Sequence, residues 1–201
     1  MGEASGDLDG IVARINGAPG MVSAWEMAFN NNLPTAWKTN PDFLGKLRVV
    51  WDYTFVNGTN VKLPNITLEA TQLTKVSDEV AQQMRNIFNS TGRKDFLTDL
   101  GNNSQISTML REAGYTDVQI PELVQRLRDG FVLPGHQVHH KIPIEYGGTN
   151  DFSNLVLMKQ TPYHSAMTSF QNSQINIPIG QTQTLDFPKV TGKFYSPPYI
   201  E

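Results

Sequence analysis

All four histidines of this 201-residue chain, His136, His139, His140 and His164, fall between Gly135 and Gln171. Neutral imidazole can ligate a metal or accept a proton from water near pH 7. A cluster of this kind therefore points to metal-assisted or acid–base chemistry. "HQVHHKIP" is short, β-leaning and stopped by Pro143. Neighbours on a strand project to opposite faces, so His139 and His140 cannot both serve one centre and suit two separate jobs. One ring can join His164 on a metal, while the other faces a substrate as general base. The metal would stabilise charge on a phosphorane and its leaving oxygen. Asn154 is placed to hold the base imidazole in one orientation.

The elements that must position these residues read as strand, Gly-rich loop, strand and helix. "EYGGTND" is rich in turn formers, with Gly147 and Gly148 supplying unusual backbone angles. "SNLVLMK" reads as the second strand, opened by Asn154. "TPYHSAMTSFQNSQ" reads as a helix with Thr161 as N-cap and Pro162 at its first position, which puts His164 in the first turn.

The stretch "VHHKIPIEYGGTNDFSNLVLMKQTPYH" resembles the ββα-metal motif of HNH nucleases, close to the His-His version of colicin-type DNases. The resemblance implies that His139 and His164 are metal ligands and that His140 is the general base. It also implies that Asn154 orients that base. Pro143, Gly147 and Gly148 fall on structural positions. Colicin-type enzymes carry a further helical histidine where this chain has Thr168, so two protein ligands remain. This favours one loosely held divalent ion, Mg²⁺, Mn²⁺ or Ni²⁺, over a tight Zn²⁺ site. His136 is a possible third ligand, although it reads better as a surface or loop histidine.

Composition sets limits on these readings. With 39% hydrophobic and 17% charged residues the chain reads as an ordinary soluble globular protein. It has no cysteine, which excludes disulfides, thiolate zinc sites and cysteine nucleophiles. No apolar run is long enough to span a membrane, and the first residues do not read as a signal peptide. The net charge of −3 gives no basic footprint for nucleic acid. A DNA grip must come from a few groups, such as Lys141, Lys159 or the helical arginines. Arg85, Arg111, Arg126 and Arg128 themselves read as a solvated helix face.

The expected fold is α+β, with a mainly helical front and the ββα-metal motif behind it. Residues 1–20 read as a flexible linker, 21–130 as mainly helical and 131–201 as the nuclease region with a tail that wraps the body. Helices are expected to start near Met21 and Pro41. Residues 53–74 read as a hairpin turning at Asn57-Gly58 or as an irregular loop. Three more helices follow, capped by Ser77, capped by Ser104 and opened by Pro121, with Gly92, Gly114 and Gly130 at their ends.

"MVSAWEMAFNNNLPTAWKTNPDFLGKL" and "LDFPKVTGKFYSPP" are similar to segments of bacterial polymorphic toxins that carry HNH tips on Rhs or pyocin-like proteins. This resemblance implies an antibacterial DNase carried by a larger secreted protein, such as a type VI effector. It would act in the target-cell cytoplasm and be neutralised in the producer by an immunity protein. Rival readings are a phage or restriction-type HNH enzyme and a non-catalytic, metal-stabilised binding domain. RNA is an alternative substrate to DNA.

Overall fold

The computed structural model describes residues 53–56, 59–63 and 66–197. The linker expected over 1–20 and the helices expected from Met21 and Pro41 lie outside the described residues. So does the Asn57-Gly58 connection, although the strands on either side of it pair. These are β1 (Tyr53–Val56) and β2 (Thr59–Lys62), antiparallel with Val56 opposite Thr59. β3 (Ile66–Thr74) pairs antiparallel along its whole length with β6 (Thr182–Val190), from the far end of the chain.

α1 (Asp78–Ile87) begins where the Ser77 Oγ accepts the Val80 backbone N–H at 3.3 Å, with Asp78 and Glu79 in the first turn. Both features satisfy or complement the free N–H groups of a helix start. Gly92 does not end this helix. A glycine terminates a helix in the left-handed region, whereas Gly92 keeps φ −54° and ψ −41°. The chain instead passes through a π-helical turn, Phe88–Gly92, directly into α2 (Arg93–Gly101). That turn buries Phe88 and sets its ring edge-on to His140, 4.6 Å between centres. α3 (Ile106–Glu112) is entered through Asn103, whose Oδ1 accepts the Gln105 N–H at 2.8 Å, and not through a Ser104 cap. Gly114 and Gly130, at φ +92° and +79°, close α3 and α4 (Ile120–Arg128) as expected.

The helices pack on the histidine-bearing strand and its neighbour. Phe96, Leu97, Leu100, Leu110 and Leu127 form one core with Val138, Leu155 and Leu157. Each such side chain contributes about 1.5–3 kcal/mol on burial. Residue 131 is therefore not a boundary between two cores. β5 (Leu155–Lys159) is the centre of a three-stranded sheet. It is antiparallel to β4 (His136–His140) and parallel to β7 (Phe194–Tyr195). Leu155 to Met158 are all buried, because both faces of this strand are covered. α5 (Ser165–Gln174) follows. A second core of Leu73, Ile175, Ile177 and Phe187 joins the β3–β6 ribbon to the segment after α5. The fold is α+β, and among the described residues no helix is long and apolar enough to cross a membrane.

Two glycines in this framework make opposite demands. A Cβ on Gly148 would overlap the Ile142 carbonyl, a backbone group that cannot swing aside, whereas one on Gly92 meets only ordinary contacts from 3.6 Å outward. Gly148→Ala should cost about 1–3 kcal/mol, in the range of overpacking. Gly92→Ala should stabilise by about 0.4–1 kcal/mol, because the position is already helical. Urea unfolding of both variants checks the pair; a loss at Gly92 equal to that at Gly148 would contradict the continuous helix.

Candidate active site

His139 and His140 close β4 and diverge as strand alternation requires. The His139 ring turns toward α5 and meets the His164 ring edge-on, 5.2 Å between centres and 86° between planes. The His140 ring lies against Phe88 and the loop before β5. Both line one cavity of about 540 Å³, together with His164, Thr168, Arg85 and Glu145.

His139 is 6% exposed, and its Nε2 is buried without a hydrogen-bond partner. Leaving a polar atom in that state costs about 1–3 kcal/mol, so the fold tolerates it for a reason. A cation would supply the missing partner. Two imidazoles on one metal at about 2.1 Å per bond have ring centres roughly 5 Å apart, which the His139–His164 spacing matches. Among the described residues no group of three or more His, Asp or Glu side chains that could hold a metal gathers. Burial holds the His139 pKa down to about 3, with His164 and His140 adding to the effect and the neighbouring Gln171 side chain opposing it. Its ring is neutral at pH 7, as a ligand must be.

The helical frame of His164 differs from expectation. Thr161 is extended, at φ −119° and ψ 128°, and caps nothing; residues Gln160–His164 form a wide turn, and α5 starts at Ser165. His164 is thus the N-cap residue, at φ −60° and ψ −44°. Thr168 and Gln171 follow on the same stripe of the helix, four and seven positions on.

Asn154 does not touch His140. Its Oδ1 accepts the Ile142 N–H at 2.8 Å, and its Nδ2 donates to the Ile142 and Thr149 carbonyls at 3.0 and 2.8 Å. It staples the ends of the loop. Asn150 holds the ring instead, its Oδ1 3.0 Å from His140 Nε2. Asn150 Nδ2 donates to the Met84 carbonyl at 3.0 Å, which fixes the amide the right way round. An amide oxygen only accepts, so His140 carries its proton on Nε2 and its lone pair on Nδ1.

The remaining expected residues are placed as follows. His136 is buried, not a surface residue. Its Nδ1 is 2.9 Å from the Pro134 carbonyl, its Nε2 is 3.3 Å from Ser196 Oγ, and its ring stacks on Phe194. With both nitrogens committed it is no third ligand. Lys141 turns inward, and its ammonium donates to the Ser153 carbonyl at 2.9 Å. Burial lowers its pKa, as do Lys189 and Lys193, with Glu69 opposing. Lys159 is exposed at the end of β5. Neither lysine lines the cavity, whereas Arg85, read from sequence as a solvated helix residue, does. Arg85 is ion-paired with Glu145 across the cavity wall. Arg85, Asn150 and Gln171 had no signal of their own in the sequence; each is a common surface residue type whose neighbours come from distant elements.

No family model matches the chain, and no solved structure matches it. The uncharacterized protein YhhZ of Escherichia coli (strain K12) is 31% identical over 168 residues, covering 83% of this chain. The chain spans 38% of the length of that relative.

Burial lowers the pKa of all four histidines, and for His139 most. An unfolded histidine titrates near 6.5, so below that pH the unfolded chain binds more protons than the fold. Stability is then full above about pH 6.5 and declines as pH falls, by up to about 1.4 kcal/mol per pH unit for each histidine still neutral in the fold. His139 extends this decline toward pH 3. Urea midpoints of chelator-treated protein from pH 8 to 4.5 should fall, and His139→Gln should flatten the slope. A midpoint that stays level over this range would contradict the burial of these rings.

Proposed function

We propose that this chain is a metal-dependent endonuclease of the HNH type, hydrolysing phosphodiester bonds of DNA. The observation that carries the reading is the meeting of three imidazoles at one cavity in two different states. His139 and His164 come ring to ring with a buried lone pair unpaired, and His140 stands across the strand as a separate, oriented ring. A divalent ion held by His139 and His164, Mg²⁺, Mn²⁺ or Ni²⁺, supplies positive charge against the phosphate when bound.

The chain's own residues do the rest. His140 is neutral at pH 7, its pKa lowered by burial and only partly restored by Asn150. Its Nδ1 takes a proton from a water molecule whose oxygen forms a bond to phosphorus. The bond from phosphorus to the 3′ oxygen breaks, and that oxygen leaves with a solvent proton. The products carry a 5′ phosphate and a 3′ hydroxyl. Arg85 is the basic side chain at the cavity and would turn from Glu145 to the phosphate. Phe88 and Asn150 hold the base ring against rotation.

In the same reading the chain is the toxic module of a larger secreted protein, an antibacterial effector of type VI or similar delivery with its own immunity protein. A relative in which the similar stretch is a minor share of the length fits a carried module. The rival of a non-catalytic, metal-stabilised domain calls for a closed site of four protein ligands, while two imidazoles meet here.

Supercoiled plasmid incubated with the protein and Mg²⁺, Mn²⁺ or Ni²⁺ should be nicked and linearised, and EDTA should stop the reaction. His140→Ala should lower the rate by about 10²–10⁴, the usual contribution of a general base. Arg85→Ala should weaken DNA binding more than it slows saturated turnover. A folded wild type that leaves plasmid supercoiled with every metal would end the nuclease reading; cleavage of single-stranded RNA alone would change the substrate.

A further inference from the structure

Arg85 and Glu145 are the only Lys, Arg, Asp or Glu side chains among the described residues that line the cavity, and they are ion-paired with each other. The cavity beside His140 therefore offers an incoming anion no unpaired guanidinium or ammonium group. The two partners are held unequally. Glu145 sits in the short 3-10 turn Ile144–Tyr146. Its carbonyl accepts the Val76 N–H at 3.0 Å, and the Pro143 carbonyl accepts from the N–H groups of Tyr146 and Gly148 at 2.9 and 3.0 Å. The carboxylate thus projects from a turn whose backbone is fixed. Arg85 stands in the last turn of α1, on a long side chain with many rotamers. Both side chains are partly exposed, 39% for Arg85 and 33% for Glu145. A pair that exposed is weak and can be exchanged.

We propose that Glu145 is a specificity-determining residue, a carboxylate latch that occupies Arg85 until a nucleic-acid strand displaces it, so that an isolated phosphate is refused. This rests on the reading of the cavity as a phosphodiester site. A carboxylate and a phosphodiester are both anions that accept from the guanidinium fork. Exchanging one for the other at Arg85 gains little, and it leaves Glu145 unpaired beside the new anion. A lone phosphate has only that exchange to offer. A strand already held on either side presents its phosphate at high effective concentration, and this drives the exchange. Arg85 is the part that moves, and the fixed turn keeps the carboxylate in place to reclaim it when product leaves.

The test uses the full chain in EDTA at low salt, with ¹⁵N-labelled arginine, a short DNA duplex and inorganic phosphate. The Arg85 Nε–H signal, identified by its loss in Arg85→Ala, should move with the duplex and stay still with phosphate in the wild type. In Glu145→Gln it should move with both. Glu145→Gln should also bind the duplex about 3–10-fold more tightly, the scale of one exposed ion pair and one removed repulsion. Glu112→Gln removes the same charge from an exposed position on α3 that does not line the cavity, and should gain less. In an Arg85→Ala background the gain from Glu145→Gln should shrink, because only plain repulsion remains to be relieved. A wild-type Arg85 signal that moves with phosphate, or that ignores the duplex, overturns the proposal. So does a gain of equal size with and without Arg85. The wild-type spectra need no variant, so misfolding of a variant does not remove the test. Binding is read without cleavage. If the latch behaves as stated while plasmid stays intact with every metal, the latch stands and the nuclease reading fails. If plasmid is cut while Glu145→Gln binds the duplex as the wild type does, the latch alone fails.

Discussion

One side chain decides where the loop between β4 and β5 may go. Asn154 pairs with both the N–H and the carbonyl of Ile142 and with the carbonyl of Thr149, and its own backbone carbonyl accepts the Lys141 N–H at 2.8 Å. Backbone groups leaving a sheet need partners, and here a single carboxamide supplies them on both sides of the loop. The close approach of Gly148 to Ile142 follows, since only a residue without Cβ fits where the staple draws the loop in. So does the position of Asn150, which the stapled loop brings to His140. The sequence reading assigned Asn154 to the base directly. It reaches His140 only through the loop that carries Asn150.

The two central imidazoles are then set apart by what surrounds each. Asn150 is anchored by the Met84 carbonyl and presents its oxygen to His140 Nε2. Gln171, on α5, donates to the Lys141 carbonyl at 2.8 Å, just past the end of the strand that carries both histidines. At His140 a backbone acceptor fixes the amide, the amide fixes the proton, and Nδ1 is left with a lone pair. At His139 it is Nε2 that is buried without a partner. Identical side chains at adjacent positions are given different chemistry by neighbours alone. A neutral ring is useful in both roles, and burial keeps both neutral.

What could be read from the chain was whatever depends on nearest neighbours. The divergence of His139 and His140 follows from strand alternation, the start of α1 from Ser77, and the ends of α3 and α4 from Gly114 and Gly130. What could not be read depends on partners far along the chain. The pairing of β3 with β6 joins segments with the whole site between them. Arg85 meets the cavity because α1 lies against Glu145, and nothing around "QQMRNIF" announces that. Lys141 was read as a possible DNA contact, while its position just past the strand end points it at Ser153. Gly92 looked like a stop because glycine often is one, but the π-helical turn at Phe88–Gly92 keeps its backbone helical.

The fourth histidine bears on the same geometry. His136 opens β4 and His140 closes it. The ring of His136 reaches the Pro134 carbonyl and Ser196 Oγ and stacks 5.9 Å from Phe194, at 12° between planes. This clamps the far end of β4 to the segment that adds β7 to the sheet. A strand held at one end by a clamp and along its length by β5 has little freedom to slide, and a slip of one residue would exchange the faces of His139 and His140. That exchange would carry His139 away from His164 and Gln171 and set His140 in its place. Register is therefore the condition on which the unequal roles of the two histidines rest. His136 serves the site by holding that register, which is why the fourth histidine stands on the same strand as the other two.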